Sequence, residues 1–162
     1  MIERTFVALK PDAVERGVTG QIISRFERAG LKIAAMKLME PSKELAEEHY
    51  DERIAEKHGE EVRLSLLEYI RGPVFAMVVE GDEAVKTVRK LVGSTYPNEA
   101  RPGTIRGDFA HVSMERADDQ GKAVFNLIHA SEDSDDAEKE INLWFSEEEI
   151  HDYKRSDRFH TL

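Results

Sequence analysis

The sequence predicts an α+β fold in which helices cover a four-stranded sheet, within one domain. Two observations carry that reading. Apolar runs of strand length alternate with segments whose apolar residues recur at helical spacing. Their order is strand, helix, strand, helices, strand, helix, strand, helix, a split β-α-β arrangement on an antiparallel or mixed sheet. The chain has 162 residues, 40% of them hydrophobic, and no cysteine, which suits a single core and calls for no linker.

Residues 4–10 read as the first strand, and Pro11 fits the first turn of a helix. Lys10 then stands at a strand's C-terminal end, either as a solvated charge or as a phosphate ligand. Gly17 and Gly20 bracket a turn, after which Ile22, Ile23, Phe26 and Ala29 make an amphipathic helix that Gly30 terminates. Residues 31–39 form a second strand and residues 42–50 a helix. The charged stretch 51–59 has no clear period. A further helix carries Val62, Leu66, Tyr69 and Ile70 on one stripe, and Gly72-Pro73 breaks it. The continuous apolar run 74–79 predicts a central strand. Asp82 is the expected N-cap of a helix that buries Ala84, Val85, Val88, Leu91 and Val92 and ends at Gly93, with Arg89 off that face. Residues 94–107 read as a long functional loop with a polar, basic tip around Thr104 to Phe109, and residues 110–122 as a surface insertion. Residues 124–128 read as a short buried strand. Ala137, Ile141, Trp144 and Phe145 share one face of the next helix, and residues 146–162 form a polar tail with one turn of helix at 147–150.

A net charge of −10, from 33 acidic and 23 basic residues, argues against general nucleic-acid binding, which depends on phosphate neutralisation. An anionic substrate then requires cations gathered in one cleft. The acid excess fits either solubility or a saline cytoplasm, and residues 118–119 and 133–136 read as solvated loop. The 6 histidines show no paired ligand spacing, so no structural zinc is expected. The N-terminus enters a strand directly, with no signal-peptide layout, and no apolar run approaches membrane-spanning length. A soluble cytoplasmic protein with no membrane partner is expected.

The chemistry is expected at His129. A neutral imidazole at a strand end is nucleophilic and able to carry a group covalently. Glu140, beside the buried helical face, can reach back, accept the N–H of the ring nitrogen not used for attack and fix the tautomer.

Asn126-Leu127-Ile128-His129-Ala130-Ser131, with Ala137-Glu138-Lys139-Glu140-Ile141 and Leu143-Trp144-Phe145 beyond it, resembles the active-site signature of nucleoside diphosphate kinases. The likeness spans nearly the whole chain, through Glu3-Arg4-Thr5-Phe6, Leu9-Lys10-Pro11-Asp12, Arg16-Gly17, Glu48-His49-Tyr50, Gly72-Pro73-Val74, Arg89, Thr95, and Arg101 through Phe109. It implies a ferredoxin-like sandwich in which the first and last strands are adjacent. It further implies ping-pong transfer of a γ-phosphoryl group from a nucleoside triphosphate to a diphosphate through phospho-His129. Ser131 and Glu140 would support the ring. Lys10, Tyr50, Arg89, Thr95, Arg106 and Asn126 would hold phosphates and ribose, Lys10 also acting in catalysis. Mg²⁺ would ride on the nucleotide's phosphates with no strong protein ligand. A homo-oligomer, a hexamer by likeness, is implied. The other class of function open to such a chain is a regulatory or scaffolding protein on the same fold with reduced catalysis.

The chain also departs from the family pattern. Ala130 stands where many members have Gly, and Glu132-Asp133 where Asp-Ser is usual. Residues 51–62 are longer than the pattern and lack its Phe pair, and residues 110–122 are extended. Catalysis is therefore expected to be intact and the base-binding lip remodelled. Val62, with Leu66 one turn on, aligns with the base-stacking position. Val62 is otherwise a core residue of its stripe, with a side chain such as Tyr96 reaching the base instead.

Overall fold

The structure, a computed structural model, describes residues 1–161; Leu162, the end of the expected tail, lies outside the described residues. Four antiparallel strands are ordered β2-β3-β1-β4: β1 (Ile2–Leu9), β2 (Lys32–Met39), β3 (Val74–Asp82) and β4 (Ile128–Ala130). This is the ferredoxin-like order, with β1 and β4 adjacent. β1 is thus an inner strand, which explains why residues 5–9 are all fully buried.

Alternation along β1 divides the core. Val7 and Leu9 face a cluster with Ile22, Phe26, Val88 and Val92, supplied by α2 (Thr19–Arg28) and α6 (Ala84–Val92). Phe6 and Ala8 face the opposite cluster with Ala46, Tyr50, Ile70, Ile141 and Trp144. That second side is built by α3 (Lys43–His49), α5 (Glu60–Tyr69) and α9 (Ser134–Trp144). Helices therefore cover both faces of the sheet, which is how so many strand residues are lost from solvent.

The remaining helices are short: α1 (Pro11–Glu15), α4 (Glu52–His58), α7 (Ile105–Phe109), α8 (Met114–Asp119) and α10 (Arg158–Thr161), with 3-10 turns at Pro97–Glu99 and Glu147–Glu149. Several sequence expectations are corrected here. Gly20 lies inside α2 rather than in a turn. Asp82 ends β3, and Glu83, at φ 45°, precedes α6 in its place. Residues 51–59 are α4, capped by the Asp51 carboxylate, which accepts from the Arg53 N–H. Asp133 caps α9 by accepting from the Asp136 N–H, and Asp135 and Asp136 lie in its first turn, where the helix dipole favours carboxylates. That acid run is helix start, not solvated loop, and residues 118–119 belong to α8.

The expected strand at 124–128 is the largest difference. Only residues 128–130 pair with β1, because Leu127 turns the backbone into the left-handed region at φ 71° and Phe125 is 44% exposed. The tip at 104–109 is likewise not loop. The Thr104 hydroxyl accepts from the Gly107 N–H and starts α7, which buries Ile105 and Arg106.

The tail binds the outer strand. His151 N–H donates to the Ala34 carbonyl at the bulge of β2, Tyr153 hydroxyl to the Ile33 carbonyl, and Arg155 to the Leu31 carbonyl. Among the described residues no helix is long and apolar enough to cross a membrane.

Candidate active site

β4 presents His129 opposite Ala8, and α9 packs on the adjoining β1. His129 Nε2 and Glu140 Oε1 are 2.7 Å apart, and the Ser131 hydroxyl donates to the other carboxylate oxygen at 2.6 Å. Ser131 in turn accepts from the Phe6 N–H at 3.2 Å, so β1 anchors the carboxylate's support. Burial alone would raise Glu140, but the adjoining His129, and then His49 and Ser131, outweigh it and hold the acid at about 2. A carboxylate at Nε2 places the ring hydrogen there and leaves Nδ1 as the lone-pair nitrogen, without a hydrogen-bond partner among the described residues. The His129 side chain is 23% exposed.

A cation cluster adjoins it. Lys10 leaves the end of β1 buried, donates from Nζ to Asn126 Oδ1 at 2.9 Å and lies 4.5 Å above the Tyr69 ring. Desolvation, reinforced by Arg106, pulls its ammonium down to about 7, with Asp12 opposing. Arg106 is bound by four carbonyls: Nε donates to Asn126, Nη1 to Gly93 and Ser94, and Nη2 to Ile128. A guanidinium has five N–H groups, so one remains for a ligand. Burial lowers Arg106 to about 10, which still leaves it charged at neutral pH. Gly93, at φ 89°, turns the chain after α6 so that two successive carbonyls meet that guanidinium.

Asn126 ties these groups together: its side-chain amide donates to the Thr95 carbonyl at 2.9 Å while its own oxygen receives Lys10. Thr95 thus contributes its backbone, and its side chain is left toward solvent. Arg89 is exposed, close enough to Arg106 to disfavour a second charge. Tyr50 is buried; desolvation and then the Glu140 charge push its phenol upward, Arg106 opposing. Hydrogen bonds thus tie Lys10, Asn126 and Arg106 into one group and His129, Glu140 and Ser131 into another, and Tyr50 lies within electrostatic reach of both Glu140 and Arg106. Val62 is in neither: it is 43% exposed on α5, and Leu66 packs, half-buried, against the Trp144 side of the core.

Three neighbours escaped the sequence reading. Asp12 and Tyr69 bind the backbone at Asn126 and Leu127. The His49 side chain is fully buried, its ring centroid 4.6 Å from that of His129 and nearly perpendicular to it. The Trp144 indole donates to His49 Nδ1 at 3.3 Å, which assigns the hydrogen to Nε2, a buried atom with no hydrogen-bond partner among the described residues. Burial, then the His129 charge, holds His49 down at about 3, so the ring is neutral. His49, His129 and Glu140 bring donor atoms within 4.8 Å of one another, but the Trp144 and Ser131 bonds already engage the first and third. The available signal was the helical stripe of Ala46, His49 and Tyr50, on which a histidine must be buried.

The family profile described as "Nucleoside diphosphate kinase" matches residues 3–150. The nucleoside diphosphate kinase of Pyrococcus abyssi is 53% identical over 156 residues, covering 96% of this chain and 91% of that protein. That of Borreliella burgdorferi is 45% identical over 159 residues, covering 97% and 95%. Among solved structures, a transition-state mimic of the B. burgdorferi kinase with bound vanadate and ADP superposes with a TM-score of 0.97 at 44% identity, covering 99% of this chain and 96% of that one. A halophilic kinase from Halobacterium salinarum in complex with CDP gives 0.84 at 42% identity, covering 99% and 98%. With whole-chain identity at this level and the same fold around a histidine, carboxylate and cation cluster, the chain belongs to the nucleoside diphosphate kinase family and is an enzyme of nucleotide phosphoryl transfer.

Proposed function

We propose that the enzyme moves the γ-phosphoryl group of a nucleoside triphosphate to a nucleoside diphosphate in two displacements, through phospho-His129. The observation that carries this reading is the division of labour on one ring: Nε2 bound to Glu140 and Nδ1 free. In the first displacement the Nδ1 lone pair forms the N–P bond while the bond from γ-phosphorus to the bridging oxygen breaks, and the diphosphate leaves with that electron pair. Glu140 balances the charge that develops on the ring, and Ser131 keeps the carboxylate in place. In the second, a terminal oxygen of another diphosphate attacks phosphorus and His129 departs neutral.

Lys10 and the free N–H of Arg106 stabilise the transferred group, and Arg89 adds charge from the open side. Asn126, Thr95 and Tyr50 orient phosphates and ribose, and Val62 with Leu66 forms an apolar base lip. The carboxylates nearest the site are engaged: Glu140 by His129 and Ser131, and Asp12 by Tyr69 and Leu127. That donor set fits Mg²⁺ held by the nucleotide's phosphates and water, where it neutralises phosphate charge. That the B. burgdorferi kinase was solved as a transition-state mimic with bound vanadate and ADP supports phosphoryl transfer on a nucleotide by likeness.

Labelled ATP with Mg²⁺ tests the reading. The phosphoenzyme is expected to be acid-labile and base-stable, absent in His129→Ala, and formed roughly ten- to a thousandfold more slowly in Glu140→Gln with nucleotide affinity kept. Label retained at His49 or His111 in His129→Ala would overturn it.

A further inference from the structure

Asn126 and Leu127 carry the backbone toward His129 without sheet partners for their N–H groups, since β4 starts only at Ile128. Tyr69 and Asp12 supply the acceptors. The Tyr69 hydroxyl accepts from the Asn126 N–H at 2.9 Å and the Leu127 N–H at 3.3 Å, and donates its single hydrogen to Asp12 Oδ1 at 2.8 Å. The other Asp12 oxygen accepts from Leu127 N–H at 3.1 Å. Burial and the Asp12 charge push the phenol upward, so it keeps that hydrogen. Two residues from different elements thus hold a peptide segment in which Leu127 has a left-handed φ of 71°, a conformation that a leucine does not keep unaided.

The same tyrosine acts through its ring. Lys10 Nζ sits 4.5 Å over one aromatic face, and Phe125 stacks on Tyr69 at 4.7 Å with planes 28° apart. A desolvated ammonium over a ring face is attracted by the quadrupole without being neutralised, and so stays available to an anion. Lys10 also bonds the Asn126 side chain, whose backbone the phenol holds.

We propose that Tyr69, with Asp12, is a positioning residue of the phosphoryl-transfer site: its hydroxyl sets Asn126 and its ring sets Lys10, fixing where a nucleotide's phosphates stand relative to His129. This rests on the function proposed above only in taking Lys10 and Asn126 as phosphate-side groups. Tyr69 does not touch the nucleotide in this assignment; it acts through those two.

Tyr69→Phe keeps the ring and removes the hydroxyl. ADP affinity is expected to fall about tenfold, the order for a lost buried hydrogen-bond hub, while adenosine, which has no phosphate, binds within about twofold of the unchanged protein. A general loosening of the site would weaken both ligands equally, and that result, or an ADP affinity within twofold, would overturn the proposal. Should Tyr69→Phe fail to fold, Asp12→Asn provides the same comparison, with a fall of at least about threefold for ADP alone expected. Failure of the phosphohistidine reading would show instead as absent labelling of the unchanged protein by ATP, which leaves the ADP and adenosine comparison intact.

Discussion

At neutral pH and above, the Lys10 charge depends on what occupies the site. Desolvation and the Arg106 guanidinium hold its ammonium at about 7, so near pH 8 much of the ligand-free enzyme carries a neutral amine there. A bound polyphosphate favours the ammonium, and ADP binding near pH 8 should therefore take up a large fraction of a proton, whereas near pH 5.5 it should take up little through this group. Calorimetric titrations in buffers of different ionisation enthalpy read that number directly; heats at pH 8 independent of buffer would refute it. His49 governs acid stability in the opposite range. It stays neutral in the fold down to about 3 but takes a proton near 6.5 when unfolded. Between those values the unfolded chain binds the extra proton, so stability falls as pH drops from 6.5 toward 3, with a limiting slope of about 1.4 kcal/mol per pH unit for one group. Glu140, held at about 2 against 4.5, adds a second loss below 4.5. His49→Gln keeps an acceptor for the Trp144 indole and removes the upper titration. Its urea midpoint should change less between pH 7 and pH 5 than that of the unaltered protein, and parallel changes in both would exclude His49 as the source.

Among the elements, α5 offers a direct test of the base lip. Val62 is 43% exposed on that helix, so enlarging it meets solvent rather than packed core. Val62→Phe should bind ADP more tightly by on the order of 1–3 kcal/mol, the worth of one aromatic platform under a base. Unchanged ADP affinity by titration would remove Val62 from the lip. The elements also show what periodicity can and cannot carry. The inner strands β1 and β3 were legible as continuous apolar runs buried on both faces, and α2, α6 and α9 because each buries one face at a regular interval. Residues 124–127 misread as strand because the N–H groups of Asn126 and Leu127 go to the side chains of Tyr69 and Asp12, far away in sequence, and the run Val124-Phe125-Asn126-Leu127 looks the same whether a strand or a phenol receives those two groups. The helix at Thr104 was hidden differently. Its cap was visible as a threonine, but its buried arginine reads as surface until four carbonyls from two other segments are seen to surround it. The resemblance assigned Arg106 to phosphate, and the geometry gives that guanidinium a second task, bracing the loop after α6 against the approach to β4.

For the whole molecule, net charge −10 and the proposed self-assembly pull against each other, because like-charged copies repel over the screening length. A homo-oligomer, hexameric by likeness, is expected to persist or grow as salt rises, and light scattering that finds monomer alone at both low and high salt would exclude it. The strand order has a bearing on how this chain is made. β1 leaves the ribosome before both of its neighbours, β3 at residues 74–82 and β4 at residues 128–130. Until residues 74–82 have been made, Phe6-Val7-Ala8-Leu9 has neither edge paired; its other edge waits for residues 128–130, and the clamp of His151, Tyr153 and Arg155 on the β2 region arrives later still. An apolar strand waiting with both edges open is a template for pairing with another nascent chain. Shielding of that segment until β3 has been made is therefore expected to limit aggregation of the nascent chain, and His129 acquires its carboxylate partner only once α9, which follows it, has been made.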